Sequence, residues 1–193
     1  RIVKKVVAFE PEPLNLKLLR KNVNDNKINN IMVVAKAVSD AKKKLSLGIS
    51  ADNFGDHQIS VFDKKRKVVG VESVSLDSFL SDKVSILKID TQGWEPKVVS
   101  GAIEIIKRDK PTIFMEFWPE GYKRSGLDFT KMIGFLEKVY GKIYLIDDQL
   151  SLVYPISKDS LVERCKNDKG YVDLLFRDTM SLSDTWICIK KFR

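Results

Sequence analysis

The chain has 193 residues and 44% of them are hydrophobic, which suffices for the core of one folded domain over residues 1–193. No apolar run approaches the roughly 20 residues that a membrane span requires, and no signal-peptide pattern is found, so a cytoplasmic protein is expected. The formal net charge of +8 permits an acidic partner such as RNA, but RNA-binding signatures are absent and a nucleic-acid partner is not favoured.

The apolar pattern predicts strands and helices in alternation along most of the chain. Residues 5–9 predict a buried strand that Glu10 ends, and the leucine spacing over 13–24 predicts a helix. The predicted elements that follow are a strand at 31–38, short strands at 45–50, 57–62 and 68–75, a strand at 84–90, a helix at 94–107, a strand at 111–117, a helix at 127–139 and a strand at 142–146. This order predicts an α/β fold with a parallel sheet covered by helices on both faces.

Two parts of the chain depart from this alternation. Residues 40–75 show strand patterning without a helix, which predicts a β-hairpin insertion over the ligand-binding edge of the sheet. Near the C-terminus, residues 171–176 and 186–190 both have strand character, and only one of them is needed to pair antiparallel with 142–146. The sequence leaves that choice open.

Polar side chains follow successive predicted strands at the point where each strand ends. These residues are Glu10, Ser39, Asp40, Asp90 and Glu116. Each alone could be a turn residue or a helix cap, but the carboxyl ends of parallel strands form one rim, where open α/β sheets bind their ligands. A carboxylate at Glu10 can accept hydrogen bonds from both hydroxyls of a ribose. The first strand end therefore indicates a cofactor that contains a nucleoside.

Two loops carry further candidate residues. The loop at 51–57 contains His57, the only histidine of the chain, beside Asp56. Histidine is a natural general base near neutral pH, although a lone histidine in a polar loop is often structural. Farther along, Trp118 and Tyr122 can wall a substrate pocket or simply pack beneath the next helix. One histidine and two cysteines without C-x-x-C spacing predict neither a metal site nor a disulfide framework.

Taken together, six segments resemble the FkbM family of S-adenosylmethionine-dependent methyltransferases in order and spacing over residues 5–120. The segments are Val7-Ala8-Phe9-Glu10-Pro11-Glu12-Pro13, Ala37-Val38-Ser39-Asp40, Asp52-Asn53-Phe54-Gly55-Asp56-His57, Ser75-Leu76-Asp77, Leu87-Lys88-Ile89-Asp90-Thr91-Gln92-Gly93-Trp94-Glu95 and Glu116-Phe117-Trp118-Pro119. The resemblance implies a Rossmann-like methyltransferase sheet, mostly parallel with an antiparallel C-terminal pair. It also implies methylation of a hydroxyl on a small molecule or saccharide.

The resemblance implies a role for each candidate residue. The roles are cofactor binding for Glu10, Pro11, Val38, Ser39, Asp40 and Asp90, catalysis for His57, Asp90 and Glu116, and substrate contact for Asp56, Trp118 and Tyr122. In this scheme Glu10 holds the ribose hydroxyls of S-adenosylmethionine, and His57 is the first candidate base with Glu116 the second. Methyl transfer needs alignment and at most one base, so no metal is required. The chain lacks the Asn/Asp-Pro-Pro-aromatic motif that many N-methyltransferases use, which favours oxygen as the acceptor atom.

The family's first strand and its glycine-rich turn have no counterpart in this sequence. Three interpretations stay open: a shortened copy of an active enzyme, a non-catalytic binding domain, or a domain whose gap is filled by residues 186–190 or by a partner chain. An unfilled gap would expose two strand edges, which predicts pairing with a second copy. An RNA methyltransferase is a further alternative that rests on positive charge alone.

Overall fold

The computed structural model describes residues 4–51, 53, 55–59 and 66–178. The described part is a mixed α/β fold. In chain order its elements are β1 (Val6–Phe9), α1 (Pro13–Asp25), β2 (Ile31–Val34), β3 (Ala37–Val38), β4 (Lys44–Ile49), β5 (Gln58–Ile59), β6 (Lys67–Val74), α2 (Leu76–Phe79), β7 (Ile86–Ile89), α3 (Glu95–Ser100), α4 (Ile103–Asp109), β8 (Thr112–Phe117), α5 (Pro119–Arg124), α6 (Thr130–Tyr140), β9 (Ile143–Asp147), β10 (Leu152–Ile156), α7 (Lys158–Asn167) and β11 (Val172–Phe176). Within these ranges, no helix has both the length and the apolar character that crossing a membrane requires.

The strands form three separately hydrogen-bonded sheets. The first sheet contains β1 and β2, which pair in parallel with Phe9 beside Val34. A second sheet has the order β10-β9-β11-β8-β7, in which β7 and β8 are parallel. In that sheet β11 is antiparallel to both β8 and β9, and β10 is antiparallel to β9. An antiparallel partner of β9 is therefore Val172–Phe176, within one of the two segments between which the sequence left the choice open; the other, 186–190, lies outside the described residues.

One edge of β1 and one edge of β7 have no strand partner among the described residues. Two side-chain contacts link β1 to the chain that precedes β7. The Lys5 ammonium lies 2.8 Å from the Asp82 carboxylate, and the Phe9 ring packs edge-on against Phe79 with 5.3 Å between centroids. Side chains do not replace the backbone hydrogen bonds that join strands into one sheet. The single, mostly parallel sheet of the prediction is therefore observed as two separate sheets, with two antiparallel strands in the larger one.

The core lies against one face of the five-stranded sheet. Met115 and Phe117 of β8 are almost fully buried there, beside Leu174 of β11, which pairs with Met115. Helices α3, α4, α6 and α7 contribute buried apolar side chains to the same cluster. Because side chains alternate along a strand, Glu116 and Asp173 project from the opposite face, where burial is only partial. This alternation places two carboxyl groups on the less covered side of the sheet.

The antiparallel pairing of the predicted hairpin insertion is observed, while its position over the ligand-binding edge stays a prediction. The strand β4 pairs antiparallel with both β5 and β6, and β3 adds in parallel to the far side of β6. The strand predicted at 31–38 is interrupted, because the N–H of Lys36 turns back to donate to the carbonyl of Val34 at 3.0 Å. As a result β2 and β3 belong to different sheets, and the chain passes at this turn from the β1–β2 sheet into the insertion.

The helices differ from the predicted ones where tertiary contacts intervene. The helix predicted at 94–107 is observed as α3 and α4, separated at Gly101. A Cβ at Gly101 would lie 2.0 Å from the carbonyl oxygen of Ser39, so glycine lets the end of β3 pack directly on the junction. The helix predicted at 127–139 begins at Thr130 and ends at Tyr140, and Gly141 caps it with a left-handed φ of 76°. The short helices α2 and α5 and the elements β10 and α7 had no predicted counterpart.

Candidate active site

Three carboxyl groups, which we call the acidic rim, come together around the ends of β7 and β8. Asp90 follows β7, and Glu116 lies in β8 directly opposite Asp173 of β11. Burial raises the pKa of the Glu116 carboxyl to about 7. The negative charges of Asp90, Glu95 and Asp173 act in the same direction. A carboxyl group with this pKa is about half ionised near neutral pH, which suits a general base.

Gln92 connects two members of the acidic rim. Its Nε2 donates to Oδ1 of Asp90 at 3.1 Å and to Oε2 of Glu116 at 3.3 Å. The backbone of Gln92 has a φ of 52°, a left-handed conformation that costs a residue with a side chain roughly 1–3 kcal/mol. The Gln92 amide therefore bridges the two carboxylates. Because the backbone of Gln92 is strained, other contacts must hold it in this conformation.

The buried carboxylate of Glu95 imposes that conformation. Its oxygens accept hydrogen bonds from the N–H of Thr91 at 2.7 Å, the hydroxyl of Thr91 at 2.9 Å and the N–H of Gly93 at 3.1 Å. Glu95 is fully buried, and burial raises the pKa of its carboxyl above the usual value. On the other side, a Cβ at Gly93 would lie 2.9 Å from the backbone of Gly121, so the turn packs tightly on α5. The turn between β7 and α3 is thus fixed from two sides.

His57 is held by a backbone hydrogen bond that determines which nitrogen carries the proton. The N–H of Ser50 donates to Nδ1 at 3.1 Å, so the neutral ring carries its proton on Nε2. Nε2 is buried and has no hydrogen-bond partner among the described residues. Neutral His57 is therefore a donor at Nε2, and its other nitrogen is already occupied. This geometry does not favour the base role that the sequence suggested for His57.

Asp56, predicted to contact substrate, makes its observed contacts within the insertion. Its Oδ2 forms an ion pair with Arg66 at 2.6 Å, and its Oδ1 accepts from the amide of Gln58 at 2.6 Å. Arg66 also donates to the backbone carbonyl of Asp56. These contacts hold the loop on which His57 sits, and substrate contact at Asp56 stays a prediction.

Glu10 lies at the end of β1, as predicted, and its carboxyl is oriented by the turn that follows. The N–H of Glu12 donates to Oε1 of Glu10 at 2.8 Å, across Pro11. Burial raises the pKa of the Glu10 carboxyl, the charge of Glu12 adds to this, and the positive form of His57 opposes it. His57 therefore lies within electrostatic range of Glu10. A carboxylate has about four lone-pair positions, so one backbone hydrogen bond leaves Glu10 able to accept from a ligand.

The predicted cofactor residues after β3 form a different network. Ser39 is fully buried, and its hydroxyl oxygen accepts a hydrogen bond from the indole N–H of Trp94 at 3.3 Å. Asp40 forms ion pairs with Lys43 at 2.6 Å and with Lys97 at 2.8 Å, and these lysines hold its pKa well below the usual range although partial burial opposes them. Val38 pairs with Val74 in β6 and packs against the core. The contacts of Ser39 and Asp40 connect the insertion to α3. Contact of Val38, Ser39 or Asp40 with the adenine of the cofactor stays a prediction.

The two predicted substrate residues of the 116–122 segment differ in exposure. Tyr122 is fully buried, and its hydroxyl donates to the backbone carbonyl of Glu116 at 3.0 Å. The Tyr122 hydroxyl therefore hydrogen-bonds the backbone of Glu116, and its side chain is not accessible to a substrate in this structure. Trp118 is half-buried, and its ring packs over Gly121. The guanidinium of Arg124 stacks on the same ring in a cation–π contact, 5.6 Å from the ring centroid. Substrate contact at Trp118 stays a prediction.

Three site residues were not anticipated from the sequence. Gln92, Glu95 and Asp173 complete the surroundings of Glu116. Asp173 could have been found from the sequence, because it is the one charged residue in the apolar strand Val172–Phe176. A charge in such a strand needs a partner or has a functional role. For Gln92 the signal is weaker, because a glutamine before a glycine looks like any turn.

A comparison with family models identifies the family of the chain. Residues 2–144 match the family model described as the methyltransferase FkbM domain, which is about three quarters of the chain. The chain belongs to the FkbM methyltransferase family. Among solved structures, it is similar to the methyltransferase FkbM from Methylobacillus flagellatus KT, with 17% identity and a TM-score of 0.55. None of the curated proteins matches the chain.

The structural likeness covers 90% of this chain but 36% of the Methylobacillus protein, so this chain spans about a third of that protein's length. At 17% identity the likeness shows a shared fold.

Proposed function

We propose that this FkbM domain transfers a methyl group from S-adenosylmethionine to a hydroxyl oxygen of a small molecule or saccharide. The single observation that carries the proposal is Glu116. Its carboxyl stands at the end of β8 with a pKa raised by burial to about 7, and the bridging amide of Gln92 orients it. A base of this strength can take the proton of a hydroxyl group as that oxygen attacks a methyl group.

The described residues fit a cofactor with a ribose and a positive charge. S-adenosylmethionine, when bound, supplies an electrophilic methyl group on a positively charged sulfur. Glu10 would accept hydrogen bonds from its ribose hydroxyls, since the Glu12 N–H occupies only part of the carboxylate's capacity. Asp90 lies at the neighbouring strand end, where its carboxylate pairs with Lys88 at 3.0 Å and would also attract a cationic group of the ligand. No metal ion enters this scheme.

Glu116 works only in its ionised form, which gives the reaction a defined pH dependence. Below its pKa of about 7 the carboxyl holds a proton and cannot accept one from the substrate. As the pH rises through 7, the carboxylate forms and the hydroxyl can be deprotonated during transfer. The amide N–H of Gln92 keeps Oε2 oriented while the other oxygen remains to receive the proton.

A methyl-transfer assay tests this function. The protein is incubated with S-adenosylmethionine labelled in the methyl group and with a panel of monosaccharides, oligosaccharides and small alcohols. Incorporation should rise through about pH 7, and Glu116→Gln should lower it about 10²-fold or more, because the base is lost. The control Glu120→Gln alters an exposed glutamate of α5 and should leave transfer unchanged. Equal activity of Glu116→Gln and the unaltered protein would refute the assignment of the base.

A second candidate function is a binding domain without turnover. The observation that favours it is the lack of a described strand partner for one edge of β1 and one edge of β7. Cofactor binding without methyl transfer to any acceptor would support this second function. The same strand edges would allow pairing with a second copy of the chain, which sedimentation of the purified protein would detect.

A further inference from the structure

His57 presents a buried hydrogen-bond donor that the proposed chemistry does not use. The Ser50 N–H occupies Nδ1, and the proton-bearing Nε2 has no partner among the described residues. A buried donor without an acceptor is costly, typically about 1–3 kcal/mol. Native proteins satisfy nearly all buried donors, so an unpartnered one calls for an acceptor that the described residues do not supply. The Nε2 atom of His57 is therefore a position at which a bound molecule should place an oxygen or nitrogen lone pair.

Glu10 defines what kind of group that molecule would place there. The imidazole of His57 lies within electrostatic range of the Glu10 carboxylate. A carboxylate only accepts hydrogen bonds, and an imidazole with Nδ1 occupied only donates. A hydroxyl group does both, because its proton can go to the carboxylate while its oxygen accepts from the imidazole. A ligand hydroxyl is therefore a suitable partner for the Nε2–H of His57 and for the Glu10 carboxylate alike.

We propose that His57 is a binding residue whose Nε2–H donates to a ribose hydroxyl of the nucleoside that Glu10 also binds, a role that rests on the proposed cofactor. Asp56 serves this role indirectly. Its ion pair with Arg66 at 2.6 Å and its hydrogen bond from Gln58 hold the loop that carries the ring. The base of the reaction remains Glu116.

The first test reads the imidazole directly. The chain has one histidine, so nitrogen NMR of the ¹⁵N-labelled protein gives its two ring signals without assignment. In the neutral ring, Nε2 should be protonated and Nδ1 unprotonated. Saturation with S-adenosylhomocysteine should shift the Nε2–H signal to that of a hydrogen-bonded donor. A neutral ring protonated on Nδ1 would overturn the proposal, and so would ring signals that do not change when the ligand is bound.

The second test separates the donor from the shape of the ring. His57→Phe keeps a flat ring but removes the donor, and it should weaken S-adenosylhomocysteine binding about three- to tenfold. His57→Gln supplies an amide N–H of similar reach and should restore most of that affinity. Equal affinities of the Phe and Gln variants would contradict a donor role. If either variant fails to fold, the ring signals of the unaltered protein still decide.

The outcomes distinguish this inference from the proposed function on which it rests. Calorimetry on the same sample reports whether S-adenosylhomocysteine binds at all. Binding with an unresponsive His57 ring would overturn the role of His57 and leave the cofactor assignment intact. Absence of binding by a folded sample would overturn both.

Discussion

At the scale of single residues, the side-chain amide of Gln92 connects two carboxyl groups of the acidic rim, Asp90 and Glu116. The amide stands 3.1 Å from Oδ1 of Asp90 and 3.3 Å from Oε2 of Glu116, so each carboxylate is stabilised by the same donor. Without that donor the two negative charges would face each other with less compensation, and a like charge nearby raises the pKa of a carboxyl. Gln92 therefore limits how far the pKa of Glu116 rises.

Shortening this side chain should raise the pKa of Glu116. Asparagine tolerates a left-handed φ better than most residues, so Gln92→Asn keeps the turn while it withdraws the amide from Glu116. We expect the pKa of Glu116 to move from about 7 to a higher value. The measurement is a pH titration of carboxyl signals by ¹³C NMR, with Glu116→Gln identifying the signal. Gln149→Asn, at an exposed glutamine, is the control, and an unchanged pKa in Gln92→Asn would contradict the bridging role.

Part of the candidate site was predictable at this scale and part was not. The strand ends at Glu10, Asp90 and Glu116 follow from a short apolar run that stops at an acid, a pattern visible in the sequence. The tautomer of His57 depends on a backbone N–H seven residues away, and the φ of Gln92 depends on buried Glu95. Such features arise from contacts that exist only after folding, so hydrophobic periodicity does not encode them.

At the scale of elements, close backbone contacts decide where helices end. The junction of α3 and α4 receives the end of β3 at Gly101, with no room for a side chain. The apolar spacing over 94–107 is continuous, so it predicts one helix and misses the break. In the same way β2 and β3 read as one strand, although the turn at Lys36 separates them. Strand and helix types were predictable from periodicity, and the breaks were not, because they arise from packing between distant segments.

Two glycine substitutions should have opposite effects on stability. Gly101→Ala would place a Cβ 2.0 Å from the Ser39 carbonyl oxygen, so the backbone must shift and the free energy of unfolding should fall by about 1–3 kcal/mol. Gly134→Ala lies in the middle of α6 with no atom within 4 Å of the new Cβ, and it should raise that free energy by about 0.5–1 kcal/mol. Urea unfolding of both variants is the measurement. An unaltered midpoint for Gly101→Ala would contradict the close contact.

At the scale of the whole molecule, the candidate site residues are divided between two sheets. Glu10 stands on the β1–β2 sheet, while Asp90 and Glu116 stand on the five-stranded sheet. The Lys5–Asp82 ion pair is exposed, and exposed pairs contribute roughly 0–1 kcal/mol, so it adds little to holding the sheets together. A ligand that contacts Glu10 at one end and the acidic rim at the other would add a link between them. Binding of such a ligand should then stabilise the fold as a unit.

The most direct test of a cofactor site shared by both sheets is calorimetric titration of this 193-residue chain with S-adenosylhomocysteine. We predict binding with a dissociation constant on the order of micromolar. Glu10→Gln should weaken it about tenfold or more, because a charged acceptor of the ribose hydroxyls is lost, while Glu163→Gln on the exposed side of α7 should not change it. No heat of binding from a folded sample would contradict a complete cofactor site in this chain.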